Sequence, residues 1–155
     1  MKVITAPEPL YIQTPSVFLA GSIEQDTAAK WQDTLISLLA RDEVTVLNPR
    51  RKEWDRNWDQ SIQNPEFKRQ VEWELVAMDH ADLIVIYFDP ATKSPVTLLE
   101  FGLFASSEKL VVCCPEGFWR KGNVDVVCGR YGIQQVPHLE IFPQIIRGRL
   151  LQKAP

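Results

Sequence analysis

Short apolar runs alternate along the chain with longer stretches in which apolar residues recur at helical spacing. A continuous apolar run indicates a buried strand, and apolar residues three or four positions apart indicate a helix that packs on one face. Strands that alternate with helices favour a parallel sheet with right-handed crossovers. The pattern therefore predicts an α/β fold: a single doubly wound (Rossmann/flavodoxin-like) domain with a mostly parallel five-stranded sheet flanked by helices. The predicted strands are 16–20, 44–47, 83–88, 109–114 and 133–136.

Helices are predicted between these strands. Their expected positions are 26–39, 65–79, 98–105, 125–128 and 141–151. Pro65 follows Asn64, as expected at the first position of a helix. Residues 1–15 are proline-rich and are expected to form an N-terminal arm or a short edge strand, which leaves residues 16–155 as the main domain. The polar segment 50–64 is long for a connection, and a long loop is usually functional when it is ordered.

Composition narrows the class of protein. A chain of 155 residues with 45% hydrophobic residues is long enough for one core without disulfides or metals. A net charge of −3 gives no electrostatic case for a nucleic-acid polymer as partner. The first residues lack the features of a signal peptide, and no apolar run is long enough to span a membrane. Three cysteines at 113, 114 and 128 form no disulfide framework, so we expect buried thiols in a cytoplasmic protein.

One stretch combines a strand, a polar loop and a helix that carries an acid. The strand predicted at 83–88 leads directly into Asp89, and Glu100 follows in what the pattern predicts to be the first turn of an apolar helix. Ligands of open α/β sheets bind beyond the carboxyl ends of the strands. Glu100 is therefore a candidate catalytic residue.

Other polar residues are expected at the same edge of the sheet. They are Gly21 and Ser22, Asn48, Asp89 and Ser94, and Asn123. Glu74, on the preceding helix, could join Asp89 and Glu100 there. Two carboxyls in one cleft suit substitution at an acetal-like carbon, because one acts ionised and the other gives a proton to the leaving group.

Structural roles also account for several of these residues. A glutamate near a helix N-terminus is favoured by the helix dipole, and an Asp-Pro pair commonly begins a turn. Gly21 and Ser22 are typical of a helix cap. His80 and His138 have no partners at the spacing of a metal site, so no metal ligand is predicted. No dinucleotide-binding glycine motif is present either, so no cofactor is expected from the residues.

Four segments together resemble the nucleoside 2-deoxyribosyltransferase family. These are 18–23 (FLAGSI), 82–87, 99–102 (LEFG) and 117–123 (GFWRKGN), and the resemblance covers roughly residues 16–150. It implies a doubly wound fold, and it implies transfer of a 2′-deoxyribosyl group between bases without cofactor or metal. Deoxynucleosides and free nucleobases would be the substrates.

The resemblance also implies roles for particular residues. Glu100 matches the nucleophile that forms a covalent deoxyribosyl ester, while Glu74 and Asp89 match acids that bind and protonate the base. Asn123 matches a residue that reaches the sugar bound to a neighbouring subunit, which implies a homo-oligomer with a shared site. Gly21, Ser22, Asn48 and Ser94 are expected to contact substrate.

The sequence departs from the family pattern at two places. Phe18 replaces a tyrosine that would hydrogen-bond the nucleophile, so Tyr87 or Ser22 would have to hold Glu100. Lys93-Ser94-Pro95 replaces a loop in which an Asp-Val-Gly-like sequence is frequent. Ser94 and Ser22 leave open a related activity, in which such serines hold the 5′-phosphate of a deoxynucleotide.

Two alternatives to transfer remain at this point. Water rather than a base would resolve the intermediate in an N-glycosidase acting on deoxynucleosides or deoxynucleoside 5′-monophosphates. In a non-catalytic nucleoside- or nucleotide-binding module, Glu100 would only cap its helix. Arg50 and Trp54 are further candidates for the pocket wall, and base preference is expected to depend on the loops around Trp54, Asp89 and Trp119.

Overall fold

The structure, a computed structural model, describes residues 1–23, 28–51, 55 and 57–151. The strands within these residues are β1 Lys2–Thr5, β2 Ser16–Gly21, β3 Thr45–Asn48, β4 Leu83–Tyr87, β5 Leu110–Cys113 and β6 Gln134–Val136. The helices are α1 Trp31–Leu38, α2 Pro65–His80, α3 Pro95–Phe104, α4 Lys121–Tyr131 and α5 Phe142–Ile146. A 3₁₀ turn, Leu139–Ile141, precedes α5, and a π-helical turn, Arg147–Leu151, follows it.

All strands of the described chain form one open parallel sheet in the order β1-β3-β2-β4-β5-β6. This arrangement confirms the predicted α/β fold class. The sheet has six strands rather than five because Lys2–Thr5 pairs with Thr45–Asn48 along the outer edge of β3. Of the two forms expected for residues 1–15, an arm or a short edge strand, the edge strand is the one that Lys2–Thr5 adopts.

Each face of the sheet carries its own apolar core. Along β2, Phe18 and Ala20 point to the face covered by α2, α3 and α4, while Val17 and Leu19 point to the face covered by α1 and α5. Alternation of side chains along a strand produces this division. Because the central strands are buried on both faces, they read in the sequence as continuous apolar runs.

The direction of chain winding reverses beside β2. From β2 the chain first adds β3 on one side and then returns to add β4 on the other. Gly21, the last residue of β2, lies at this point with φ +146°. A Cβ atom on Gly21 would lie 2.4 Å from the carbonyl oxygen of Tyr87 and 2.8 Å from Cζ2 of Trp31. The close approach of β2 and β4 therefore requires glycine at this position.

The predicted start of α2 is confirmed. Asn64 caps the helix through Oδ1, which accepts hydrogen bonds from the backbone N–H groups of Glu66 (3.1 Å) and Phe67 (3.3 Å), and Pro65 occupies the first position. The same helix holds the N-terminal segment, because the indole N–H of Trp73 donates to the carbonyl of Glu8 at 2.7 Å.

Helix α1 begins at Trp31 rather than at residue 26, and two boundaries in the helices that follow β4 and β5 were also predicted wrongly. Helix α3 begins at Pro95 rather than at Leu98, so Glu100 lies in its second turn and does not act as a cap. Helix α4 extends over eleven residues, and Asn123 lies in its first turn rather than in a loop. In both cases the first turn carries few of the apolar residues by which the pattern detects a helix. Pro95, at the first helical position of α3, is the overlooked signal.

Cys113, Cys114 and Cys128 are buried free thiols, as predicted. In the part of the chain that the structure describes, no helix combines the length and apolar character that a membrane crossing needs.

Candidate active site

A cavity of about 530 Å³ opens at the carboxyl ends of β2 and β3, between α2 and α3. The last residue of β2, Gly21, and the residue after β3, Pro49, line the cavity together with Arg50 and Arg51. Small-molecule sites usually have volumes of a few hundred Å³ and occupy this position in open α/β sheets. The cavity is therefore the candidate site of this protein.

Two carboxyl groups face this cavity from different helices. Glu74 is in α2 and Glu100 is in α3, and both side chains line the cavity. They come together because α2 and α3 pack on the same face of the sheet, where Trp73 and Phe101 belong to one core. Glu74 and Glu100 are called the carboxyl pair below.

Burial and mutual repulsion favour the protonated forms of the carboxyl pair. Burial, followed by the nearby charge of Glu74, raises the pKa of Glu100 from 4.5 to about 8. Burial also raises the pKa of Glu74 to about 7, against a lowering effect of its hydrogen bond from Gln70. Two carboxyls that interact in this way titrate as a pair and hold one proton near neutral pH. Such a pair supplies both an ionised carboxylate and a carboxylic acid at one site.

Ser22, Thr92 and Ser94 form a second polar group, called the hydroxyl cluster below. Their hydroxyl oxygens lie 2.5 Å (Ser22–Ser94), 2.9 Å (Thr92–Ser22) and 2.7 Å (Thr92–Ser94) apart, and all three residues are buried. The hydroxyl of Ser22 also accepts the backbone N–H of Asp89 at 2.8 Å. The cluster thus fastens the loop before α3 to the end of β2. Ser94 also lines the cavity and has left-handed backbone angles, φ 48° and ψ 53°.

Asp89 does not line the cavity. Its carboxylate accepts hydrogen bonds from the backbone N–H groups of Ala91 (2.9 Å) and Ala29 (3.3 Å). Its carbonyl accepts both the backbone N–H and the hydroxyl of Thr92, at 3.0 and 2.8 Å. These contacts shape the turn after β4 and join it to the segment before α1.

Asn48 and Arg50 also have structural partners. Oδ1 of Asn48 accepts the backbone N–H of Arg50 at 3.0 Å. The guanidinium of Arg50 donates to the carbonyls of Ala28 and Ala29 at 2.9 and 2.8 Å, and to Oε1 of Gln32 at 3.1 Å. Arg50 forms part of the cavity wall, as expected, whereas Asn48 does not line the cavity.

The groups proposed to replace the family tyrosine do not contact Glu100. Phe18 is buried in mid-strand, with its ring centroid 6.4 Å from that of Trp73. Tyr87 points to the opposite face of the sheet and packs on Trp31 at 5.5 Å. The hydroxyl of Ser22 belongs to the hydroxyl cluster. Within the described residues, no side chain donates a hydrogen bond to the carboxyl of Glu100.

The structure thus brings together four of the predicted site residues, Gly21, Glu74, Ser94 and Glu100, around one cavity. Ser22, Asn48 and Asp89 are buried but do not line it, and Asn123 is exposed on α4 and does not line it either. Trp54 lies outside the described residues. In the described part of the chain, no three His, Cys, Asp or Glu side chains are grouped in a way that would hold a metal ion.

Several cavity residues were not predicted from the sequence, Gln70 and Arg51 among them. Gln70 donates through Nε2 to Oε1 of Glu74 at 2.9 Å, and Arg51 lies beside Arg50 on the wall. The spacing of Gln70 and Glu74, four residues apart on one helix, places their side chains on the same face and was an available signal. Arg51 follows Arg50 in a polar segment and has no comparable signal.

An open parallel sheet, with a cavity at its carboxyl edge that holds two interacting carboxyls, defines an α/β protein equipped for acid–base or nucleophilic chemistry on a small molecule. A family model described as nucleoside 2-deoxyribosyltransferase like matches residues 14–118. The chain belongs to the nucleoside 2-deoxyribosyltransferase-like family. The matched segment contains both members of the carboxyl pair and ends before Asn123. No curated protein matches the chain at a significant level.

Proposed function

We propose that this protein transfers a 2′-deoxyribosyl group between nucleobases by cleaving the N-glycosidic bond of 2′-deoxynucleosides. The observation that carries the proposal is the carboxyl pair in a cavity of about 530 Å³, in a chain of this family. Cleavage of this bond needs a carboxylate at the anomeric carbon and a proton for the departing base. One carboxyl pair with one proton meets both needs.

Glu100 is the proposed nucleophile and Glu74 the proposed proton donor. An oxygen of Glu100 attacks C1′ and forms a covalent ester, while the bond between C1′ and the base nitrogen breaks and that nitrogen takes up a proton. A second base then displaces Glu100 from the same face, which gives retention of configuration and ping-pong kinetics. Glu74 takes the role of acid here in place of Asp89, because the carboxylate of Asp89 already accepts hydrogen bonds from two backbone N–H groups.

Gly21 and Ser94 are the proposed substrate contacts among the cavity residues. Gly21 lines the cavity at the end of β2, and Ser94 lies at the start of the helix that carries Glu100. Ser22 and Asn48 would act on the substrate only through these neighbours. Their part in binding is to hold the cavity wall in place.

A turnover assay tests this proposal. Purified protein is incubated with deoxyadenosine, with and without a second free base, and the products are separated by chromatography. Base exchange that requires the second base supports transfer. Free sugar without an acceptor indicates the hydrolase, and binding without turnover indicates a non-catalytic module. Glu72→Gln, on the exposed side of α2, is the matched control for Glu100→Gln.

Hydrolysis of deoxynucleoside 5′-monophosphates is a second candidate function. The observation that favours it is the presence of Arg50, Arg51 and Lys93 on the wall of the same cavity, since cations bind phosphate. Deoxyadenosine 5′-monophosphate, run beside deoxyadenosine in the same assay, separates the two candidates. A much higher kcat/KM for the monophosphate, with free sugar phosphate as product, favours hydrolysis.

We further propose that the active form is a homo-oligomer in which Asn123 serves the site of a neighbouring subunit. Leu99 and Leu103, 62% and 57% exposed on α3, and Val126, 73% exposed on α4, support this proposal because exposed apolar patches usually mark interfaces. Mixing Glu100→Gln with Asn123→Ala subunits tests it. Partial recovery of turnover indicates a shared site, whereas no recovery places Asn123 in the site of its own chain or outside any site.

A further inference from the structure

The amide of Gln70 lies between the end of β3 and the carboxyl pair. Gln70 is 3% exposed, and its Nε2 is 2.9 Å from the carbonyl oxygen of Pro49 and 2.9 Å from Oε1 of Glu74. Its own Oε1 is buried and accepts no hydrogen bond in the described part of the chain. Both donor hydrogens of the amide are therefore committed, one to a fixed backbone group and one to Glu74.

The carbonyl of Pro49 fixes the orientation of this amide. Rotation by 180° would direct Oε1 of Gln70 at the carbonyl oxygen of Pro49, which would place two acceptors together and leave that carbonyl without its donor. A buried polar atom without a partner costs about 1–3 kcal/mol. Gln70 is thus restricted to donating a hydrogen bond to Glu74, and such a bond favours the ionised carboxylate.

Glu100 has no comparable donor among the described residues. Three cations line the same cavity, but none donates a hydrogen bond to Glu100 within the described residues, although Nε and Nη1 of Arg51 are buried without a hydrogen-bond partner there. Arg50 donates to main-chain carbonyls ahead of α1, Arg51 lies 3.9 Å from a carboxylate oxygen of Glu66, and Lys93 lies 4.7 Å from the ring of Trp119. The nearby charge that acts on Glu100 is the carboxylate of Glu74, which raises the pKa of Glu100. The two carboxyls therefore differ in their ability to carry a negative charge.

We propose that Gln70 is a positioning residue: its fixed amide makes Glu74 the ionised member of the carboxyl pair, so that the shared proton is held on Glu100 until substrate binds. This inference rests on the proposed function, in which the carboxyl pair performs the chemistry. The hydrogen bond from Gln70 lowers the pKa of Glu74, which is the direction that the inference requires.

The proton then has a defined route in the first chemical step. Glu100 gives its proton to Glu74 as its oxygen forms a bond to C1′. The bond between C1′ and the base nitrogen breaks, its electron pair goes to the nitrogen, and Glu74 passes the proton to that nitrogen. One proton moves from Glu100 to the base, Glu74 ends ionised as it began, and no other reactant is needed.

Titration of the two carboxyls in the free protein tests the inference. The protein is labelled with ¹³C at glutamate side-chain carboxyls, and Glu74→Gln and Glu100→Gln assign the two resonances. Glu74 is expected to titrate at lower pH than Glu100. Gln70→Met removes the donor at similar volume and is expected to raise the midpoint of Glu74 by about one pH unit. Gln63→Met, at an exposed glutamine just before α2, is the matched control and is expected to leave both midpoints in place.

Two results would overturn the inference: a midpoint of Glu74 that Gln70→Met leaves unchanged, or a midpoint of Glu100 below that of Glu74 in the parent protein. If Gln70→Met does not fold, Gln70→Lys retains a donor toward both Pro49 and Glu74. It must then lower the midpoint of Glu74, and a rise or no change would count against the inference.

The titration needs no substrate, so its outcome is separable from that of the turnover assay. Absence of turnover would reject the proposed function and leave the measured midpoints intact. Turnover with unchanged midpoints in Gln70→Met would reject the role of Gln70 alone. A purely structural Gln70 would change the melting temperature without shifting the pH dependence of kcat.

Discussion

The hydroxyl cluster and the carboxyl pair lie at the same edge of the sheet, yet they differ in how their polar atoms are satisfied. Each hydroxyl of Ser22, Thr92 and Ser94 bonds to the other two, and Ser22 also accepts a backbone N–H. Glu74 and Glu100 repel each other in a buried site. Polar groups whose hydrogen bonds are met inside the protein stabilise the fold, whereas perturbed titratable groups in a cleft mark chemistry. We therefore expect the hydroxyl cluster to stabilise the fold at this edge of the sheet and the carboxyl pair to carry out the reaction.

The largest expected effect belongs to the carboxyl pair. Glu100→Gln keeps the shape of the side chain but removes the nucleophile, so we expect kcat to fall by at least about 1,000-fold. The melting temperature should be unchanged or raised, because an amide cannot ionise in this site as the pH rises. Turnover and thermal unfolding measure the two effects, with Glu72→Gln as control. Retention of most of the activity would contradict the assignment of Glu100.

In the hydroxyl cluster we expect a large loss of stability with little loss of kcat. Ser22→Ala leaves the backbone N–H of Asp89 without its acceptor and removes the hydrogen bonds of Ser22 to Thr92 and Ser94, so the free energy of unfolding should fall by about 1–3 kcal/mol. The folded fraction should keep kcat within about tenfold. Urea unfolding measures the loss. Ser37→Ala, which removes an exposed hydroxyl bonded within α1, should change stability by less than about 0.5 kcal/mol.

The pH dependence of stability is a third difference between the two regions. A carboxyl whose pKa is raised by folding stabilises the native state most fully below its unfolded value, here 4.5, and this stabilisation is lost as pH rises through the folded values of about 7 and about 8. From about pH 5 to about pH 8, the melting temperature of the parent should therefore fall more than that of Glu100→Gln. We expect a difference of about 3 °C or more in calorimetric scans. Parallel curves for the two proteins would show that the pair is not perturbed.

The smallest effect is expected at Asp89. Asp89→Asn keeps an acceptor oxygen for the backbone N–H of Ala91 and should cost about 1 kcal/mol of stability or less. Because Asp89 does not line the cavity, kcat should change only a few-fold. Steady-state kinetics and urea unfolding on the same samples measure both. A fall in kcat as large as that of Glu100→Gln would place Asp89 in the reaction and remove the distinction between the two regions.

Sequence reasoning predicted the fold better than the site. The apolar runs of β2, β4 and β5 mark strands buried on both faces, and the alternation of strands with helices determines their parallel arrangement. The sequence alone does not distinguish an arm from an edge strand at residues 1–15, because the edge strand β1 depends on its pairing with β3.

The site was predicted only in part, because being near the end of a strand does not determine the direction of a side chain. Glu74 and Glu100 face the cavity, but Asp89 turns back to its own loop. That difference depends on which backbone N–H groups lie within reach, and those come from Ala91 in the same turn and from Ala29, sixty residues away. The role of Gln70 depends likewise on the carbonyl of Pro49, which is distant in the sequence.

The N-terminal segment has a consequence for handling the protein. β1 covers the outer edge of β3, and the indole of Trp73, the residue before Glu74, is bonded to the carbonyl of Glu8. Deletion of residues 1–15 would expose an unpaired sheet edge, a common origin of aggregation, and would leave a partly buried indole without its acceptor. Recombinant forms trimmed to the apparent domain at Ser16 should therefore precipitate more readily and show a disturbed site, although no cavity residue has been removed.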